Sequence, residues 1–196
     1  MTTLNLQVGA DADDTTVYNG TWYAAYQYFG AYDASGYVCN SSERFTNVTI
    51  AAGSTINSAA LSFKASAGLI TGTPCNLKIH CDDSDSATAP TSLATFNGKT
   101  LTTGVAWASV PAWTAGTWYS SADLSSEVQT VVNRAGWNSG QALQTFVKDD
   151  ANAANKARVA VDYSASSAGA PKLDITYTAG GGGTTVKTLA ATGVGG

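Results

Sequence analysis

Apolar and polar positions alternate most cleanly between residues 44 and 65, RFTNVTIAAGSTINSAALSFKA. Ala59, Leu61, Phe63 and Ala65 alternate with Ala60, Ser62 and Lys64, the period of two expected of a strand with one buried face. Upstream, Val48 and Ile50 alternate with Asn47 and Thr49, and the small, polar run 51–55 around Gly53 suits a chain reversal. The unit reads as strand, turn, strand, a central hairpin. A sheet built this way has one apolar face and needs a second sheet laid over it.

The same period recurs along the chain. Leu4, Leu6 and Val8 share one face of an opening strand, 3–8. In CNLKIHC, Cys75, Leu77, Ile79 and Cys81 point inward, while His80 points outward with Asn76 and Lys78. Residues 104–113 form a strand ended by Pro111, with Trp107 inward and Trp113 at the corner. Further strands fall at 142–148, 158–163 and 172–177; in the last, Leu173, Ile175 and Tyr177 alternate with Lys172, Asp174 and Thr176. From Ser121 the period lengthens. Leu124, Val128, Val131 and Val132 recur at helical spacing behind Asp123, read as an N-cap, and Asn133, Arg134 and Gly136 stop the run. About nine strands with frequent turn signals predict an all-β fold. The expected architecture is a two-sheet antiparallel β-sandwich (jelly roll), with one short amphipathic helix over an open end and a Gly-rich C-terminal tail. Residues 1–178 read as one domain and 179–196 as a tail or linker expected to dock on a neighbouring subunit of an assembly.

Composition narrows the function classes. Of 196 residues only 12% are charged while 44% are apolar, so low charge accompanies a real core rather than disorder. Ten Lys plus Arg are spread singly in a chain of net charge -4, which argues against a phosphate-binding stripe and hence against nucleic acid. No apolar run reaches the roughly 18 to 20 residues that span a bilayer, so no membrane partner is expected. The start, MTTLNLQV, carries neither the basic nor the apolar region of a secretion signal.

Three groups of residues are candidates for chemistry or binding. In TWYAAYQYFGAY the aromatics fall on both parities, so one set lies outside the core; Trp22, Tyr23, Tyr26 and Tyr28 are candidates to stack on sugar rings or fill a protein interface, or to pack a sandwich edge. Asp82, Asp83 and Asp85, like Asp11, Asp13 and Asp14, crowd a strand end, where oxygen ligands hold Ca²⁺ or simply solvate a turn. Cys75 and Cys81 lie about 20 Å apart along an extended strand at roughly 3.3 Å per residue and cannot bond to each other. A disulfide would therefore join Cys39 to Cys75 or Cys81; otherwise all three are reduced and the buried ones act as small hydrophobes. Arg44 and Arg158 are charges within strands, expected to pair with Glu43 or Asp162.

Read together, ERFTNVTIAAGSTINSAALSFKA, LKIHCDDSDS, VAWASVPAW, DLSSEVQTVVNRAGW and VDYSASSAGAPKLDITY resemble β-sandwich modules of secreted bacterial surface proteins and phage particles, the DNRLRE-type and carbohydrate-binding-module-like jelly rolls. Cys81 stands where that family usually has glycine, although the following aspartates are kept. The resemblance implies a non-catalytic binding or structural module. Enzyme chemistry finds no support in the motifs: His80 has no Gly-x-Ser-x-Gly partner, and the two glutamates, Glu43 and Glu127, sit on a strand start and a helix. The expectation is a virion-surface phage protein, capsid-decorating or otherwise particle-attached, held through its tail or through sheet edges, with a carbohydrate-binding module of a secreted or cell-surface bacterial protein as the alternative. Either places the protein in a virion or outside the cell, with other protein subunits or glycans as partners and structural Ca²⁺ as the one cofactor to consider.

Overall fold

The alternation in CNLKIHC becomes a strand whose residues are alternately buried and half-buried, one of twelve strands in a computed structural model that describes residues 1–68 and 72–180. In chain order the strands are Thr2–Gln7 (β1), Asp14–Tyr18 (β2), Thr21–Tyr23 (β3), Gln27–Tyr32 (β4), Tyr37–Val48 (β5), Thr55–Lys64 (β6), Cys75–Cys81 (β7), Val105–Val110 (β8), Trp118–Ser120 (β9), Gln141–Asp149 (β10), Lys156–Ala160 (β11) and Lys172–Thr178 (β12). Two α-helices interrupt them, Leu93–Asn97 (α1) and Ser125–Val132 (α2).

The strands form two antiparallel sheets packed as a sandwich. One has four strands in the order β1-β12-β6-β9. The other has eight, with β11-β4-β5-β10-β7-β8 as its path and β2 and β3 joined to it through β5. The central unit is not a hairpin. β5 pairs with β10, β2 and β4, whereas β6 pairs with β12 and β9. The turn at Gly53 (φ 75°) therefore carries the chain from one sheet to the other, and Val48, Ile50, Leu61 and Phe63 are buried by facing each other across the core. Alternation reports which face is apolar but not whether the covering layer is a sheet neighbour or the opposite sheet.

Rings bridge the layers. Phe63 on β6 lies 4.9 Å, centroid to centroid, from Phe29 on β4, 6.2 Å from Trp107 on β8 and 6.4 Å from Trp113, which itself stacks on Tyr119 of β9 at 5.0 Å. Helix α2 buries Val128, Val131 and Val132 behind Leu124 and covers one end of the sandwich. It starts at Ser125 with no side-chain cap from Leu124. Asp123, expected as the N-cap, instead accepts from both Ala59 N and Ser125 N through Oδ1 and so ties the helix entry to β6. Segment 82–104 contains α1, whose Ser92 and Thr95 form a capping box. It brings Leu93, Phe96 and Leu101 down on Val17, Phe146 and Trp22, a second small core. His80 points out of the main core as expected, but this segment covers it, and its Nδ1 lies 2.8 Å from Thr102 O.

Arg44 does not pair with Glu43 or Asp162 as expected. Arg44 bridges to Asp13 at 2.8 Å, and fully buried Arg158 donates to the carbonyls of Pro111, Val110, Gly72 and Ala157. The three cysteines are buried free thiols, so the expected Cys39 disulfide with Cys75 or Cys81 is absent. Cys39 donates to Tyr37 O and Cys75 to Lys156 O. Burial pushes these two thiols up to about 12 and about 11 and raises Cys81 as well, so all three stay protonated and unreactive. The start of the expected tail lies against the Gly53 turn, with Gly180 N donating to Ser54 Oγ; residues 181–196 lie outside the described residues, and the docking expected of them with them.

Phe63→Ala is expected to cost about 3–5 kcal/mol, read as a lower urea midpoint with unchanged slope. Thr3→Ala on the exposed face should stay within roughly 0.5 kcal/mol.

Candidate functional site

Six tyrosines gather where β2, β3, β4 and β5 meet. The turn between β2 and β3 is Asn19-Gly20, both with positive φ (46° and 77°), the two-residue connection whose twist matches paired strands. It sets Thr16 opposite Tyr23 and leaves Tyr18 beside the turn. The chain then reverses through Tyr26 into β4, which carries Tyr28 and Tyr32. A second turn, in which Asp33 Oδ1 accepts from Ser35 N at 2.7 Å, returns it as Tyr37 opposite Tyr32. Gly30 makes this course possible. Its φ is +99°, and a Cβ there would stand 2.3 Å from Lys156 O, so only glycine lets β4 approach β11 between the two tyrosines.

The rings interlock edge to face. Tyr18 lies 5.4 Å from Tyr32, 5.8 Å from Tyr37 and 6.3 Å from Tyr28; Tyr28 lies 5.4 Å from Tyr32 and 5.8 Å from Tyr26; Tyr26 lies 6.0 Å from Tyr23. Such pairs are each worth about 0.5–1.5 kcal/mol beyond area burial, so the arrangement is held before any ligand arrives. Between Tyr18, Tyr23, Tyr26, Tyr28, Tyr32 and Thr16 is an open depression of about 310 Å³. Tyr26 is 51% exposed and Tyr23 39%. Burial, followed by nearby Asp33 for Tyr18 and by neighbouring tyrosines and Asp162 for Tyr28, holds both phenols above their ordinary value of 10.0, so they remain neutral hydroxyls.

Tyr26 adopts φ 73°, a left-handed conformation costly for a bulky side chain. Buried Thr16 anchors it, its Oγ1 donating to Tyr26 O at 2.8 Å and accepting from Tyr28 N at 3.3 Å. A polar ring thus stands exposed at a backbone cost.

Of the residues expected to bind, Tyr23, Tyr26 and Tyr28 come together here. Trp22 does not: it pairs with Val17 and packs into the second core. Tyr18 and Tyr32 complete the wall and Tyr37 braces it; the Asn19-Gly20 signal and the turn at Asp33 to Gly36 were the sequence features that could have added them. The aspartates expected as calcium ligands are taken by side-chain cations. Asp82 binds Lys99 at 2.8 Å, and Asp83 and Asp85 grip Arg134 at 2.5 and 2.7 Å. A calcium ion wants six to eight converging oxygens, whereas these carboxylates are engaged by Lys99 and Arg134. Among the described residues no three His, Cys, Asp or Glu side chains group as metal ligands.

On β2 and β5, two of the strands that meet at the depression, two carboxyls are buried. Glu43, opposite Asp14 in the β2–β5 register, accepts from Ser41 Oγ at 2.6 Å and Thr145 Oγ1 at 2.7 Å. Asp14 Oδ2 accepts from Tyr163 N at 2.7 Å. Desolvation pushes Glu43 up to about 8 and Asp14 up to about 7, opposed in each case by those hydrogen bonds. No protein-family model matches the chain, and no curated protein matches it.

Two outcomes follow from this geometry. Thr16→Val should cost about 1–2 kcal/mol and speed hydrogen exchange at the Tyr28 amide while leaving the β7 amides protected. Glu43 and Asp14 ionise near 4.5 and 3.8 when unfolded but near 8 and 7 when folded, so the unfolded chain binds fewer protons between those limits. Their stabilisation is present in full below the unfolded values and is lost as pH rises through the folded ones. The melting temperature of Glu43→Gln should therefore fall less than that of the unaltered protein between about pH 5 and pH 8.

Proposed function

We propose that this chain is a non-catalytic binding module that holds a saccharide in the tyrosine-lined depression. The observation that carries the reading is Tyr26, exposed at the rim in a left-handed conformation and locked to Thr16 and to the rings around it. Sugar rings present a flat CH-rich face and a hydroxyl edge. Tyrosine matches both, offering a π face to the first and a phenolic hydroxyl to the second. The depression is open and shallow, which suits one or two units of a chain rather than a substrate enclosed for reaction. The resemblance to carbohydrate-binding-module-like jelly rolls points the same way. Display on a virion surface, expected from the tail, rests on residues outside those described, and the proposal stands on the depression without it.

A glycan array should return at least one oligosaccharide class. Tyr26→Ala should weaken its binding roughly tenfold by isothermal titration, while Trp118→Ala, on the other sheet, leaves it unchanged. Tyr26→Gly separates binding from stability. It relieves the positive φ, so the melting temperature should hold or rise as binding is lost. Undiminished binding in both Tyr26 variants would reject the site.

A further inference from the structure

The geometry points to a charge preference at the tyrosine depression: it selects saccharides that carry protonated amines, such as glucosamine oligomers, over neutral or acidic ones. This rests on the saccharide reading above and narrows it. The wall consists of Tyr18, Tyr23, Tyr26, Tyr28, Tyr32 and Thr16, with no Lys, Arg or His among them. Aromatic faces carry negative quadrupole charge and attract an ammonium within about 6 Å of the ring centroid. The nearby fixed charges have the same sign. Asp33 follows Tyr32 directly and acts on the Tyr18 hydroxyl, and Asp162 acts on Tyr28.

Among the described residues, five side-chain cations are committed elsewhere. Arg44 is paired with Asp13, Lys99 with Asp82 and Arg134 with Asp83 and Asp85. Lys148 stands over Phe96 and Phe146, and Lys172 lies 4.3 Å over the Trp118 ring. The last two show the same preference satisfied internally, a Lys ammonium on a ring face. Ring faces line the depression, Asp33 and Asp162 lie near enough to act on two of its hydroxyls, and among the described residues no Lys, Arg or His lines it, so the complementary charge falls to the ligand. A uronic or sialic acid would meet π faces and aspartates with no compensating cation.

The test is titration of the full chain, at low salt and mildly acidic pH, with three tetrasaccharides matched in length: the glucosamine oligomer, cellotetraose and tetragalacturonate. The expected result is glucosamine binding about tenfold tighter than cellotetraose, with no measurable galacturonate binding. The preference should narrow with added salt and in Asp33→Asn, which keeps the acceptor for Ser35 N and tolerates the left-handed backbone. Equal affinity for the glucosamine and cellulose oligomers overturns the charge preference and leaves the saccharide site standing. Failure of all three to bind overturns both. Glucosamine binding that survives Tyr26→Ala and Asp33→Asn unchanged would trace to the net negative charge of the chain and overturn the preference at this site.

Discussion

Phe63 on the four-stranded sheet meets Phe29 and Trp107 on the eight-stranded sheet, and that ring contact governs what the opposite side of β4 can present. Side chains alternate along a strand, so burying Phe29 turns Tyr28 and Tyr32 the other way. Gly30 between them removes the side chain that would hold β11 off. The tyrosine depression is thus the outward consequence of an inward packing requirement, with β4 as the strand that serves both.

Neighbouring β2 and β5 carry a different load. Asp14 and Glu43 sit opposite each other in register, both buried, and the low-dielectric surroundings favour their neutral forms. The sandwich tolerates them because Ser41, Thr145 and the Tyr163 amide supply hydrogen bonds. Two residues along β2 from Asp14, Thr16 spends its hydroxyl on Tyr26. One short strand therefore ends at the tyrosine depression and begins in a costly polar region of the interior, and its stability sets how firmly the rim is held.

The rim is preorganised. Interlocked rings have already lost their rotamer freedom, so a ligand that settles on them meets a small ordering cost. Left-handed Tyr26 adds to this at the expense of local strain, a trade that packing alone would not select. The acidic turn at Asp82 to Asp85 serves structure instead, pinning Lys99 and Arg134 across the segment that covers His80.

The chain's own pattern determined the layer architecture: period-two alternation in 55–65, 75–81 and 172–177 required sheets with one greasy face, and the longer period after Ser121 required the helix. By placing aromatics on both parities it also marked Trp22, Tyr23, Tyr26 and Tyr28 as rings that a single core does not take in together. Pairing is another matter, because a strand's periodicity is the same whether its cover is a hydrogen-bonded neighbour or the opposite sheet. Only the tertiary structure decided that the Gly53 turn crosses between layers, that Trp22 falls into the second core under α1, and that Lys99 and Arg134 reach the aspartates from 17 to 51 residues away in sequence. Each is a contact between distant segments, fixed by which surfaces close together rather than by any local preference along the chain.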